Sequence, residues 1–163
     1  MPDMLVKLYD LPMLEPALDA AARRGVAIRR ALSLDKPAAL AWVGGAFPAW
    51  ATEVETAFFR TPVTCFIARR EQSIVGFACF DATCRNFFGP TAVAETERGH
   101  GIGRALLLSV LHAQKAQGYA YSIIGGVGPA EYYAKAVGAV IIEGSSLGIY
   151  AGRLRSAPDG DLA

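Results

Sequence analysis

The chain has 163 residues, the length of one ordinary domain, and 53% of them are hydrophobic while 19% are charged. This composition is typical of a compact globule and excludes a disordered chain. The 16 basic and 15 acidic residues leave a net charge of +1, which argues against a general nucleic-acid-binding protein, because such proteins usually carry a strongly basic face. A small local basic site is still compatible with this balance.

Neither metal binding nor membrane insertion is indicated. The three cysteines show no Cys-x-x-Cys spacing and the chain has two histidines, so no disulfide framework and no metal are expected. The most apolar helical stretch, residues 105–111, is far shorter than the ~20 residues that a bilayer requires. The N-terminus, with Asp3 and Lys7, is a poor signal peptide. We therefore expect a cytoplasmic protein without a membrane partner.

The first third of the chain predicts short elements of both kinds. In chain order these are a strand at 4–9, a helix at 12–24, a strand at 26–32 and one or two helices within 37–59. Gly25 follows the first helical pattern as a stop signal, and the last segment is interrupted near Gly44-Gly45 and Pro48.

The middle of the chain changes to a β-rich pattern and then alternates strands with helices. The predicted elements are strands at 63–69, 74–81 and 87–94, a long helix at 102–117, a strand at 119–124, a short helix at 129–138 and final strands at 140–142 and 147–150. The polar residues 70–73 predict a hairpin turn. Pro90 cannot donate a ladder hydrogen bond, so a bulge or an unpaired edge is expected beside it.

This order of elements predicts a mixed α/β fold rather than a sandwich or a helical bundle. We expect residues 1–25 to form a strand-helix appendage that packs on a domain of residues 26–155. Residues 156–163 are expected to form a loose tail.

The clearest functional signal is the glycine-rich turn between a strand and the long helix. Gly99, Gly101 and Gly103 alternate there, flanked by Arg98 and Arg104. The first amides of a helix lack intrahelical partners and lie at the positive end of the helix dipole. Glycines allow phosphate oxygens to approach these donors, and guanidinium groups add positive charge. The turn therefore predicts a diphosphate site, the alternative being a glycine-rich connection without a ligand.

Two other phosphate-binding motifs do not fit this turn. A dinucleotide-binding fingerprint requires Gly-x-Gly-x-x-Gly with an acidic residue about 20 positions later. A Walker A loop requires Gly-Lys followed by Ser or Thr. Neither pattern is present.

Arg98-Gly99-His100-Gly101-Ile102-Gly103 resembles the Arg/Gln-x-x-Gly-x-Gly signature of the GNAT superfamily of N-acetyltransferases. Thr91-Ala92-Val93 resembles the end of that family's fourth strand. The stretch Tyr132 to Ala139 resembles its Phe-Tyr-Glu-Lys-Leu-Gly-Phe segment with one inserted residue. The likeness covers roughly residues 63–150. It implies a mostly antiparallel central sheet of six to seven strands, flanked by helices and splayed between the fourth and fifth core strands.

The resemblance also implies that acetyl-CoA donates an acetyl group to the primary amine of a small molecule. The main chain of Val93 and Ala94 would pair with pantetheine, and the turn would hold the pyrophosphate through Arg98, Gly99, His100, Gly101, Ile102, Gly103 and Arg104. His100 is expected to use its backbone amide. Two alternatives stay open: a catalytically silent CoA-binding regulatory domain, and an acetyltransferase acting on a protein or a transfer RNA. Relatives often form homodimers, and the sequence does not decide the oligomeric state.

The family resemblance suggests candidates for the chemistry. Tyr133 occupies the place of the tyrosine that protonates the departing thiolate, the alternative being an aromatic that packs on Val137. Glu95, just after the fourth core strand, is the first choice for the general base, the alternative being a solvated carboxylate paired with Arg98. Glu53, with Glu55 near it, lies in the segment that shapes the acceptor pocket, and Glu53 is expected to bind the substrate ammonium. Gly128-Pro129 replaces an asparagine that many relatives have there.

Overall fold

The computed structural model describes residues 1–154; the predicted loose tail, residues 156–163, lies outside them. In the described range the chain forms seven strands and five α-helices. The strands are β1 (Met4–Lys7), β2 (Ala27–Arg30), β3 (Cys65–Arg70), β4 (Ser73–Phe80), β5 (Phe87–Val93), β6 (Tyr121–Ile124) and β7 (Val140–Ile141). The helices are α1 (Glu15–Ala22), α2 (Lys36–Ala46), α3 (Ala51–Phe58), α4 (Ile102–Ala116) and α5 (Ala130–Val137).

The strands of residues 1–154 form one sheet in the order β2-β3-β4-β5-β6-β1-β7. Neighbours are antiparallel except β5 and β6, which run parallel. These two strands pair only where Phe87 and Phe88 lie opposite Ile123 and Ile124, and the rest of β5 separates from β6. Counted from β2, they are the fourth and fifth strands, so the predicted sheet and its splay are confirmed.

A β-bulge lies next to the splay, as Pro90 predicted. Thr91 pairs with Ala78 and Phe88 pairs with Phe80, so β5 has one more residue than β4 between these two pairs. Gly89 adopts φ +116°, a conformation that L side chains rarely adopt. The bulge turns this part of β5 away from a regular ladder and opens the sheet toward the gap.

Helices cover both faces of the sheet. Side chains alternate between the faces along β3 and β4, as strand geometry requires. Ala78 belongs to the core that contains α1 and α4, whereas its neighbour Phe77 packs in the second core with α2 and α3. The helices therefore form two layers around the sheet, and the apolar residues of each fill one of two cores.

The longest helix, α4, follows the predicted pattern closely. Leu106, Leu107, Val110 and other apolar residues of this helix are buried. Because the helix is enclosed by the sheet on one side and by α1 on another, its apolar surface is wider than a single stripe. The prediction of a helix at 102–117 is confirmed to within one residue.

Two predicted features differ from the structure, one wholly and one in part. Residues 147–150 were expected to be a strand, but Gly148–Tyr150 form a short 3-10 helix. Leu147 and Gly148 both have positive φ, +70° and +40°, which is incompatible with an extended strand. In the 37–59 segment the expected interruption near Pro48 is confirmed, because Pro48–Trp50 form a 3-10 helix between α2 and α3, whereas Gly44-Gly45 lie inside α2 without a break.

The N-terminal segment, residues 1–25, contributes β1 to the interior of the sheet. β1 lies between β6 and β7, and Met4 and Val6 are buried in the core. The preceding residue, Asp3, is also buried: its Oδ1 accepts the Gly126 N–H at 2.7 Å and its own N–H donates to Ser145 Oγ at 2.8 Å. The N-terminal segment thus holds the loop that follows β6.

Replacing Asp3 by alanine is expected to lower the free energy of unfolding by about 1–3 kcal/mol, because the Gly126 N–H would lose its partner in a place with little access to water. Urea denaturation of the purified variant measures this. Asp10→Ala, at an exposed position, is the control and should unfold like the unmodified protein. Equal stability of both variants would show that the carboxylate does not hold the loop.

Candidate active site

The glycine turn leaves a series of backbone donors without partners. Gly99 and Gly101 have φ values of +78° and +82°, and α4 begins immediately after Gly101. The first helical bond runs from the Ala105 N–H to the Gly101 carbonyl at 3.0 Å. Among residues 1–154, no acceptor pairs with the N–H groups of residues 99–104. A Cβ placed at Gly99 or Gly101 would meet no atom within 4 Å, so the space before these donors is open.

Positive side chains flank this turn. Arg98 and Arg104 are both exposed, and Arg98 Nε donates to the Val93 carbonyl at 3.2 Å. His100 is exposed as well. The nearby Glu97 is neutralised by Arg70 at 2.9 Å, and this hydrogen bond lowers the pKa of the carboxyl. The corner therefore combines unpaired amides, a helix N-terminus and two guanidinium groups, which together suit a multiply charged anion.

The end of β5 presents part of its main chain to the gap. The Ala94 N–H donates to the Val75 carbonyl on β4 at 2.9 Å, and the Ala94 carbonyl accepts the Glu97 N–H. Because antiparallel ladders alternate residue by residue, the main-chain groups of Val93 point away from β4, toward β6. Of the two predicted pantetheine contacts, Val93 thus directs its N–H into the gap while its carbonyl accepts from Arg98 Nε, whereas both main-chain groups of Ala94 are paired.

A cleft of about 1240 Å³ opens at the splay. It extends from the bulge of β5 and the end of β6 to α3 and the loop between β4 and β5. Its lining includes Trp50, Glu53, Thr83, Phe88, Tyr133, Tyr150 and Arg153. Aromatic rings thus surround a small number of polar groups, the usual composition of a small-molecule site.

Adjacent tyrosines on α5 lie in different surroundings. Tyr133 is 8% exposed, lines the cleft and packs edge-on against Phe88 with ring centres 6.2 Å apart. Burial raises the pKa of Tyr133 to about 12, with a smaller contribution from Tyr132. The Tyr132 hydroxyl instead lies 3.8 Å from the position of a Cβ at Gly103. Burial raises its pKa and the charge of Arg104 opposes this rise. Tyr133 therefore lines the cleft, whereas the hydroxyl of Tyr132 lies beside the glycine turn.

Of the two glutamates on α3, the cleft is lined by Glu53. Its Oε1 accepts a hydrogen bond from the Thr83 hydroxyl. Glu55 forms an ion pair with Lys36 at 2.9 Å and is not part of the cleft lining. The structure thus brings Glu53 and Tyr133 into the wall of one cavity.

Glu95 lies elsewhere. It is the first residue of a short 3-10 helix after β5, is exposed, and is not among the residues that line the cleft. Within residues 1–154 it forms no ion pair with Arg98 at 4 Å or less, so the alternative of a paired turn carboxylate is not what the structure shows.

The polar residues of the cleft that the sequence analysis missed include Thr83, Tyr150 and Arg153. Burial raises the pKa of Tyr150, the charge of Glu53 adds to this, and Arg153 opposes it. The Tyr150 hydroxyl also lies 2.8 Å from where a Gly125 Cβ would be, so any side chain at Gly125 would press on it. These residues come from separate segments that only the tertiary fold unites, and no local motif marks them.

Two of the three cysteines are buried in the sheet and the third is exposed. Cys65 and Cys79 are buried opposite each other on β3 and β4, and burial raises the pKa of the Cys79 thiol. In the described range, Cys84 has no hydrogen bond to a basic partner. No group of three or more His, Cys, Asp or Glu residues in residues 1–154 is placed to hold a metal ion. In the same range, every helix is too short or too polar to cross a membrane.

Solved structures share this fold at low sequence identity. The GCN5-related glucosamine N-acetyltransferase region of a fungal multi-domain GH3 β-N-acetylglucosaminidase superposes with a TM-score of 0.71 and 15% identity, covering 86% of this chain and 19% of that one. A GCN5-related N-acetyltransferase from Sphaerobacter thermophilus gives 0.65 and 20%, with 86% and 48% covered. The present chain thus spans less than half the length of either.

A third structure is shorter. An aminoglycoside acetyltransferase from an uncultured soil metagenomic sample, solved in complex with sisomicin, gives a TM-score of 0.50 and 15% identity, with 69% of this chain and 85% of that one covered. No curated protein sequence matches the chain significantly.

A comparison of the sequence with family models supports the resemblance directly. Residues 61–139 match the model of the acetyltransferase (GNAT) domain. This segment runs from β3 through the glycine turn to the end of α5, and therefore includes both motifs on which the resemblance was based. The sequence match thus confirms the resemblance to the GNAT superfamily of acetyltransferases over residues 61–139.

Proposed function

We propose that the protein is an N-acetyltransferase that transfers the acetyl group of acetyl-CoA directly to the primary amine of a small molecule. The main support is the row of unpaired amides at residues 99–104, which lies at one end of a gap whose other end opens into the cleft. Two structures of similar fold are described with small amino compounds, glucosamine and sisomicin.

The residues at the turn fit a diphosphate. The amides of residues 99–104 would donate to its oxygens, with Arg98 and Arg104 beside them and open space before Gly99 and Gly101. The main chain of Val93 would pair with the pantetheine arm, and Tyr132 would stand beside that arm near Gly103. In this arrangement the donor would enter the gap between β5 and β6 and would bring its activated thioester to the cleft.

Acetyl-CoA supplies an activated thioester. The acceptor nitrogen forms a bond to the acetyl carbon, the carbon–sulfur bond breaks, the amine loses a proton and the sulfur gains one. Tyr133 is our proposed proton donor, because its raised pKa keeps the hydroxyl protonated at neutral pH. Burial also raises the pKa of a thiol, so a sulfur that departs in the same desolvated cleft is a stronger base than in water.

Glu53 is proposed to bind the acceptor ammonium through the oxygen that Thr83 does not occupy. Glu95 remains our prediction for the general base. Since Glu95 is exposed and outside the cleft lining, it would act through water rather than by direct contact.

The experiment is to measure thiol release from acetyl-CoA across a panel of amines, together with direct binding of CoA. Thiol release that depends on an amine supports the proposal. Binding of CoA without thiol release for any amine would instead indicate a CoA-binding regulatory domain.

Glu53→Gln is expected to raise KM for the acceptor about ten- to 150-fold, because a hydrogen bond to a charged group contributes about 1.5–3 kcal/mol. Glutamine still accepts the Thr83 hydrogen bond, so the change removes charge rather than shape. Glu55→Gln is a matched control on the same helix and should leave KM near its original value. An equal rise in KM for both variants would argue against an ammonium site at Glu53.

A further inference from the structure

The cleft contains two charged side chains of opposite sign. Among its lining residues within the described range, Glu53 is the only acid and Arg153 the only base with a charged side chain. The neighbouring lining residues bear aromatic rings or hydroxyl groups: Trp50, Thr83, Phe88, Tyr133 and Tyr150. This inference rests on the proposed function, in which Glu53 binds the acceptor ammonium. That function does not yet give Arg153 a role.

The two charged side chains line the same cleft, yet they do not pair. The ion pairs of residues 1–154 join other residues, and none links Glu53 to Arg153 at 4 Å or less. Both charges nevertheless act on the Tyr150 hydroxyl, because the charge of Glu53 raises the pKa of Tyr150 and the charge of Arg153 lowers it. Opposite charges that face one cavity without neutralising each other suit a ligand that carries both signs.

The rest of the cleft suits the carbon skeleton of a small molecule. Trp50, Phe88 and Tyr150 supply apolar ring surface in the same wall. A polycationic acceptor would meet a single carboxylate there and would be repelled by the guanidinium. A guanidinium, by contrast, binds a carboxylate through two parallel hydrogen bonds with well-defined geometry.

We propose that the acceptor carries a carboxylate as well as the amine, as an amino acid does, with Glu53 binding its ammonium and Arg153 binding its carboxylate. Acetylation removes the positive charge of the amine and so removes the attraction to Glu53. The acetylated product therefore binds more weakly than the acceptor, which favours its release.

The test uses acceptor pairs that differ only by the carboxylate: phenylalanine with phenethylamine, leucine with 3-methylbutylamine, and lysine with 1,5-diaminopentane, with glucosamine as a carboxylate-free reference. The ratio of kcat/KM within a pair is measured by thiol release. For the pair that is turned over best, we expect the amino acid to be favoured at least tenfold. In Arg153→Gln this ratio should fall close to one, whereas Arg23→Gln, at an exposed position outside the cleft, should retain it.

Several outcomes would overturn the inference. One is a ratio near or below one in the unmodified protein, another is turnover of glucosamine or other carboxylate-free amines alone, and a third is an unchanged ratio in Arg153→Gln. If no compound releases thiol, the proposed function fails. Titration calorimetry of the same pairs on the CoA-loaded protein then decides the inference separately, since it requires tighter binding of the amino acid that is lost in Arg153→Gln.

Discussion

Replacing Gly101 by leucine is expected to weaken the binding of CoA by about 1–3 kcal/mol, or about five- to 150-fold in Kd. Gly101 has φ +82° and directly precedes α4. A leucine there must either adopt a left-handed conformation or move the turn, and its side chain would extend into the open space before the amides. Titration calorimetry with CoA measures the change.

Gly118→Leu is a matched control for this variant. Gly118 has φ +92°, lies just beyond the other end of the same helix, and also has open space around its Cβ position. Both variants should lose a similar amount of stability because both force a side chain into positive φ. Only the Gly101 variant should lose affinity. Equal affinities in two folded variants would contradict the assignment of the turn.

Tyr133→Phe is expected to lower kcat about 100-fold or more while the Kd of CoA stays close to its original value, because a positioned proton donor contributes about 10²–10⁴-fold. Phenylalanine keeps the edge-on packing against Phe88, so the fold should not change. Because the pKa of Tyr133 is about 12, its deprotonation should not reduce kcat in the neutral range, and a loss from this source is expected only as the pH approaches that value. Steady-state kinetics over pH measure both effects.

The control for Tyr133 is Tyr121→Phe, since Tyr121 is an exposed residue that packs edge-on against Tyr9 outside the cleft. This variant should have normal kcat. An unchanged kcat in Tyr133→Phe would mean that Tyr133 is a packing residue of the core and that the sulfur receives its proton from another source.

Local patterns in the sequence predicted the elements nearest the donor site. The hairpin of β3 and β4, the bulge at Gly89-Pro90 and the long helix α4 all follow from signals within a few residues: periodicity, proline and glycine. The short helix at residues 148–150 was mistaken for a strand because its apolar residues suit either structure. The positive φ angles of Leu147 and Gly148 distinguish the 3-10 helix from an extended strand.

The pairing of residues far apart in the chain could not be predicted from the sequence. The interior position of β1 depends on Val6 lying opposite Ser122, more than a hundred residues later. The same reason explains the candidate acceptor site: Glu53, Thr83 and Arg153 lie on a helix, a loop and a C-terminal segment that only packing brings together. The glycine turn could be found because its donors and its charges are contiguous in the chain.

A crystal structure of the protein with CoA tests the central claim most directly. We expect the diphosphate oxygens to lie within hydrogen-bonding distance of amides in residues 99–104, with the pantetheine arm alongside Val93 in the gap between β5 and β6. A diphosphate bound elsewhere, or a turn left without ligand while CoA occupies another surface, would contradict the account.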